Sequence, residues 1–330
     1  MVIRVLSIDG GGMRGVGAAH MLAYLETQLL AAGKPGVADS FDLFVGTSTG
    51  AIIAAGLATD GYEGHDRSPA KLRQLYYDYG SRMFTPALKG LNPFGLMRGK
   101  YREESKGNAL KEVLGEITIG KLKRNFLATS YNIGDGPGPV FVNGGPNYPL
   151  SDRAYDSLPL WQVVNASSSA PIYFDPSILT GEFVADQGVD GGLFANNPAM
   201  CGYVEARALF GKALAAIAQD DIIVVSFGCG QQSLRFPSRK RWGLLQWAAP
   251  WYGMPLLEAM FDGQSATVSH QMKHLLHDRF FRFDFDLRSL GKVALDDARH
   301  PDLDRVKNAA DASLATSDTK ELIKNLVAVL

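Results

Sequence analysis

The stretch Val2-Ile3-Arg4-Val5-Leu6-Ser7-Ile8, followed by Asp9-Gly10-Gly11-Gly12-Met13-Arg14-Gly15, decides the fold. A β-rich apolar run stops at a glycine cluster. The residues after it place Met21, Leu22, Leu25 and Leu29 at helical spacing. The same order returns at once: an apolar run over 41–45, then Gly46-Thr47-Ser48-Thr49-Gly50, then the alanine-rich segment 51–58. Strand, glycine turn and helix, met twice, predict an α/β fold with a mostly parallel central sheet and crossover helices. Further strands are expected over 126–133, 140–143, 183–186, 222–227 and 280–285. Helices are expected over 68–82, 107–114, 159–167, 198–209, 255–276 and 303–330.

The chain has 330 residues, 46% of them hydrophobic and 20% charged, a globular composition long enough for one large α/β domain or two smaller ones. Lys and Arg (33) balance Asp and Glu (34), so no global basic field exists to hold a nucleic-acid polymer. Two cysteines, Cys201 and Cys229, do not make a disulfide scaffold and suit a reducing compartment. The apolar opening is interrupted by Arg4 and ends in Asp9, unlike a secretion signal, and no apolar run is long enough for a membrane span. A cytoplasmic protein is expected.

Gly46-x-Ser48-x-Gly50 lies where a strand turns into a helix, the setting of a nucleophile elbow. Such a turn lifts the serine hydroxyl clear of the sheet, and the helix N-terminus behind it favours negative charge. A tight turn with Ser48 as helix cap fits the same letters. Gly10-x-Gly12-x-x-Gly15 satisfies the dinucleotide fingerprint literally, but the acid required at the end of the second strand is missing there; Asp39 and Asp42 precede or open that strand. The other use of Gly10, Gly11 and Gly12 is an oxyanion hole, in which main-chain N–H groups point into a cleft. Arg14 could fix that loop, add positive charge, or pair with a neighbouring acid.

A base is then needed. A Ser–Asp–His order is available with Ser48, Asp190 and His270 or His300. His270, His274 and His277 follow helical spacing and read as a solvated helix face, with no carboxylate partner that would make them a metal site. Asp190-Gly191-Gly192 is a polar turn after an apolar run, ahead of Asn196-Asn197-Pro198. A carboxylate there is a turn residue or, in a dry cleft, a base for the serine proton.

Together these elements resemble the patatin-like phospholipase family. Asp9-Gly10-Gly11-Gly12-x-Arg14-Gly15 is similar to its oxyanion loop, Gly46-Thr47-Ser48-Thr49-Gly50 to its nucleophile elbow, and Asp190-Gly191-Gly192 to its aspartate motif. Ala166-Ser167-Ser168-Ser169-Ala170-Pro171, with Phe174, resembles a further block of the family. The resemblance implies a three-layer α/β sandwich and a Ser48–Asp190 dyad without histidine. It also implies an acyl-serine route to hydrolysis of phospholipid at a membrane surface, with no metal or cofactor. Residues 1–230 would be the catalytic core and 231–330 the rest of the same domain, with a Trp-rich segment and a terminal helix.

Some bacterial members of the family act in antiphage defence when a cyclic oligonucleotide binds. Two stretches could supply the basic and aromatic groups for such an activator. They are 85–102, with Arg98, Lys100, Tyr101 and Arg102, and 235–261, with Arg235, Trp242, Trp247, Trp251 and Tyr252. Either stretch could equally be a membrane-contacting lid or the interface of a homo-oligomer.

Overall fold

The computed structural model describes residues 2–88, 98–148, 155–180, 185–211, 221–232, 242–243, 246–247, 255–291 and 293–330, the backbone alone at 185 and 186. Its strands are β1 (Ile3–Ile8), β2 (Leu43–Thr47), β3 (Asn125–Asn132), β4 (Gly138–Gly144), β5 (Ser177–Thr180), β6 (Ala185–Asp190), β7 (Ile222–Phe227) and β8 (Phe280–Phe283). All eight join one sheet in the order β5-β6-β3-β2-β1-β7-β8, with β4 also paired to β3. β3, β2, β1, β7 and β8 run parallel; β4 and β6 are antiparallel to β3, and β5 to β6.

Both faces of the parallel part are covered, as the near-continuous apolar strands require. The described helices are α1 (Gly15–Ala31), α2 (Val37–Ser40), α3 (Thr49–Ala58), α4 (Pro69–Met83), α5 (Glu103–Leu114), α6 (Leu160–Ser167), α7 (Gly192–Ala195), α8 (Ala199–Gly211), α9 (Pro255–Leu276), α10 (His300–Leu314) and α11 (Ser317–Val329). Side chains alternate along each strand. Leu6, Ile8, Phe44, Phe126 and Phe227 meet α1, α3 and α4 on one face, where Leu22, Leu25, Ile53 and Leu72 are buried. Ile3, Val5, Leu43, Val45 and Val224 meet Tyr203 and Phe210 of α8 and Met272 of α9 on the other. The architecture is a mixed α/β fold whose mostly parallel sheet is flanked by helices.

Several expected boundaries change. The strand anticipated over 183–186 lies at Ala185–Asp190 among the described residues and carries Asp190 at its end. β5 and the single-turn α7 were not anticipated; both are too short for a periodic signal. The terminal helix expected over 303–330 is two helices. It breaks at Thr316, whose hydroxyl accepts a hydrogen bond from the Thr319 N–H at 3.3 Å and so starts α11 as its cap.

β8 also tethers the glycine loop. Arg282 donates to both carboxylate oxygens of Asp9 (2.9 and 2.7 Å), to Asp284 at 3.0 Å and to the Ser226 hydroxyl at 2.7 Å. Asp9 is 2% exposed, and burial raises its pKa to about 6 despite the guanidinium beside it. Removing one partner of such a pair leaves the other charge buried and uncompensated. Arg282→Met is expected to lower the free energy of unfolding by about 3–5 kcal/mol in urea titration. A loss within experimental error of zero would mean that the loop does not depend on this tie.

Candidate active site

Strand register brings the two candidate reacting residues together. Thr47 at the end of β2 pairs with Thr129 of β3. The next residue of β3, Ser130, pairs with Asp190, where β6 ends after running the opposite way. Ser48 and Asp190 therefore reach the same level of the sheet from opposite directions. The Ser48 hydroxyl donates to Asp190 Oδ2 at 2.6 Å.

Ser48 sits at φ 56°, ψ −124°, a strained backbone position for a residue with a side chain. The elbow is pressed against β1: a Cβ on Gly50 would lie 2.1 Å from the Ile8 carbonyl oxygen, so only glycine fits. Ser48 N–H donates to the Ser167 hydroxyl at 3.0 Å. The serine is thus held in its turn by backbone geometry and a neighbouring side chain, and its hydroxyl is left for Asp190.

Asp190 is 1% exposed. Burial raises its pKa to about 6, against the opposing pull of the Ser48 hydroxyl, the Gly192 N–H (2.8 Å to Oδ1) and the charge of Lys106. Its own N–H donates to the Ser169 carbonyl at 3.0 Å, and that of Gly191 to the Ser167 carbonyl at 3.3 Å. One serine-rich turn at the end of α6 therefore holds both Ser48 and Asp190. A carboxylate near pKa 6 accepts a proton more readily than one at its ordinary value.

Lys106 escaped the reading of the sequence. It is 3% exposed in α5 and donates to the Asn165 carbonyl (2.9 Å), the Ser168 hydroxyl (3.1 Å) and the Ser169 hydroxyl (3.0 Å). Its ammonium lies 4.3 Å from the centre of the Phe174 ring, and burial pulls its pKa down to about 7. The signal was a cation in the apolar stripe of a helix, in line with Leu110 and Leu114 at fourth positions.

The glycine loop divides into two kinds of amide. Gly10 N–H donates to the Asn196 carbonyl at 2.9 Å, Arg14 N–H to the Gly11 carbonyl at 3.2 Å, and Gly15 N–H to the Gly12 carbonyl. These three amides are already engaged, which narrows the expected oxyanion set. Gly11 and Gly12 N–H have no acceptor among the described residues, and both glycines line the cavity that holds Ser48, Asp190 and Lys106. Arg14 Nε reaches the Gly11 carbonyl at 3.4 Å and so braces the loop from within. Apolar side chains, among them Ile52, Leu75, Met83, Phe84, Phe174 and Leu295, form the cavity wall.

The alternatives fare differently. No histidine lines this cavity among the described residues. His270 and His274 lie against each other with ring centroids 4.3 Å apart on the exposed side of α9, and His300 Nε2 meets the Tyr77 carbonyl. Among the described residues no Ser–His–Asp arrangement forms around Ser48. The glycines of Gly10–Gly15 have a packing reason of their own, whatever the loop binds: a Cβ would strike Asn196 at Gly10, Cys229 at Gly11 and the Leu295 carbonyl at Gly12. Among the described residues no cluster of three or more His, Cys, Asp or Glu could hold a metal, and no helix is long and apolar enough to cross a membrane.

Two basic residues of the first unassigned stretch, Arg98 and Lys100, are committed elsewhere, while Arg102 is exposed. Arg98 pairs with Asp175 at 2.7 Å, and Lys100 and Tyr101 with Asp296 at 2.5 and 2.6 Å. They tie the C-terminal end of that stretch to the body of the protein. Of the second stretch, Trp242 and Trp247 pack with ring centroids 5.0 Å apart; Arg235, Trp251 and Tyr252 lie outside the described residues.

The family model described as patatin-like phospholipase matches residues 6–201. A cGAMP-activated phospholipase of Pseudomonas aeruginosa is 31% identical over 94% of this chain and 88% of its own length. Patatin-like protein 4 of Arabidopsis thaliana is 26% identical over 96% of this chain and 84% of its own. The matched span runs from β1 into α8 and takes in the glycine loop, the elbow, the serine-rich turn and Asp190; the chain belongs to the patatin-like phospholipase family.

Proposed function

We propose that the protein is a phospholipid acyl hydrolase that works through an acyl-Ser48 intermediate with Asp190 as its only base. The observation that carries this reading is the 2.6 Å hydrogen bond from a strained serine to a buried carboxylate in an apolar cavity. Ser48 Oγ bonds to the ester carbonyl carbon as its proton passes to Asp190 Oδ2. The carbonyl oxygen, now negative, faces the free amides of Gly11 and Gly12. Collapse breaks the ester C–O bond, and the departing alcohol takes the proton from Asp190. Water then attacks the acyl carbon, giving a proton to Asp190; the acyl C–Oγ bond breaks, Asp190 returns that proton to Ser48 Oγ, and the fatty acid leaves. Ile52, Met83 and Phe174 supply an apolar wall for the acyl chain. The chemistry calls for no metal or cofactor.

Activation by a cyclic nucleotide, with a place in antiviral defence, is the second part of the proposal. It is supported by the 31% identical relative, itself a cGAMP-activated phospholipase. The enzyme would act from the cytoplasm on the membrane surface.

Ser48→Ala is expected to cut fatty-acid release from phosphatidylethanolamine–phosphatidylglycerol vesicles by about 10³-fold or more while leaving the circular dichroism spectrum unchanged. Wild-type release from this variant would remove the nucleophile assignment. In the same assay cGAMP is expected to raise the wild-type rate, and a rate unchanged across a panel of cyclic di- and trinucleotides would leave a constitutive enzyme.

A carboxyl whose folded pKa lies near 6, above its ordinary 3.8, costs stability when ionised. The cost is complete above pH 6 and disappears as pH falls through 6 towards 3.8. Asp190→Asn keeps an acceptor for the Gly192 N–H and has no charge to bury. It is expected to be inactive yet more stable than wild type at pH 8 by about 1–3 kcal/mol, a gain that shrinks towards pH 4. Calorimetry at the two pH values checks this; a variant less stable than wild type at pH 8 would contradict it.

A further inference from the structure

We propose that Lys106 is a positioning residue for Ser48 and Asp190, its buried ammonium both ordering the serine-rich turn that holds them and supplying the counter-charge that keeps Asp190 an ionised base. The proposal rests on the Ser48–Asp190 reading above.

An ammonium has three N–H donors, and all three of Lys106 are used on one turn: the Asn165 carbonyl, the Ser168 hydroxyl and the Ser169 hydroxyl. That turn in turn accepts from Ser48 N–H through Ser167 Oγ, from Asp190 N–H through the Ser169 carbonyl, and from Gly191 N–H through the Ser167 carbonyl. A single side chain on α5 thus fixes the platform on which both residues stand. None of its three acceptors is a carboxylate, so the charge is not neutralised by a direct ion pair. A buried cation in that condition costs stability that an apolar side chain of the same length would not.

The charged groups facing Lys106 are Glu103 on its own helix and Asp190 from β6; α6 presents only the Asn165 carbonyl and serine hydroxyls, and the Phe174 ring covers the rest. Glu103 is itself held by the Asn165 amide and by the Ser177 hydroxyl at 2.9 Å. Lys106 lowers the pKa of Asp190 and Asp190 raises that of Lys106, each opposing the burial that would neutralise the other. Proton transfer from Ser48 needs Asp190 ionised, and the ammonium favours that form.

The test is the pH dependence of Ser48 labelling by a fluorophosphonate probe, read by mass spectrometry, which needs no lipid surface. In Lys106→Met, labelling is expected to slow, and its acid limb to move to higher pH by about one unit, because Asp190 loses its counter-charge. Lys106→Arg, which keeps the charge, is expected to hold the limb near the wild-type position. Should Lys106→Met fail to fold, Glu103→Gln carries the test. It removes the negative charge that favours protonated Lys106, so the alkaline limb is expected to move to lower pH. Limbs that stay in place in Glu103→Gln and in every folded Lys106 variant would reduce the lysine to a packing role. If wild-type Ser48 itself takes no label, the Ser48–Asp190 reading falls, and the lysine proposal with it.

Discussion

The hydrogen bond between Ser48 and Asp190 depends on strand register, and most of what surrounds the site follows from that dependence. The serine comes from the end of a strand in the parallel part of the sheet, and the aspartate from a strand running the other way. A slip of one residue in β6 would turn Asp190 to the opposite face. The register is held by the ladder on β3 and, beyond it, by Gly188, where a Cβ would lie 2.7 Å from Ala166. The β2–β3 register beneath the elbow is supported by Thr47 and Thr129, whose hydroxyls meet at 2.7 Å.

The site accumulates features that oppose folding: a serine at positive φ, a buried carboxylate, and a buried lysine whose hydrogen bonds all go to uncharged acceptors. Each is costly alone. They are offset by a sheet packed on both faces, with Phe44, Phe126 and Phe227 fully enclosed, and by the Asp9–Arg282 pair that fixes the glycine loop. On the proposed mechanism, concentrating unfavourable groups in one apolar cavity would let an aspartate serve as base without an imidazole beside it.

Much of the fold was legible in local sequence. Residues 2–8 and 41–45 read as buried strands because nearly every position is apolar, and the glycine turns after them marked the ends where Ser48 and the loop sit. Asp190 stood out as the acid of a glycine-rich turn and Ser48 as the serine of an elbow, but their meeting was implied only by the family resemblance, because the direction of β6 is not written in its six residues. Gly10 and Gly15 looked equivalent to Gly11 and Gly12. Only the carbonyls of Asn196 and Gly12, brought close by folding, distinguish engaged amides from free ones. Lys106 was hidden for a related reason. Its place in the apolar stripe of α5 marks it as unusual, but the acceptors that satisfy it lie about sixty residues later in the chain. The break at Thr316 was visible in principle as a cap inside a long helical pattern.

The most direct test is to trap the covalent intermediate. The enzyme would be mixed with a phospholipid carrying an isotopically labelled acyl chain, quenched in acid within the first turnover, digested and analysed by mass spectrometry. An acyl group on the peptide that contains Ser48, accumulating before free fatty acid, is the expected result. Fatty acid released in the first turnover with no acyl group on that peptide, or with one on a different residue, would contradict the chemistry assigned to Ser48 and Asp190.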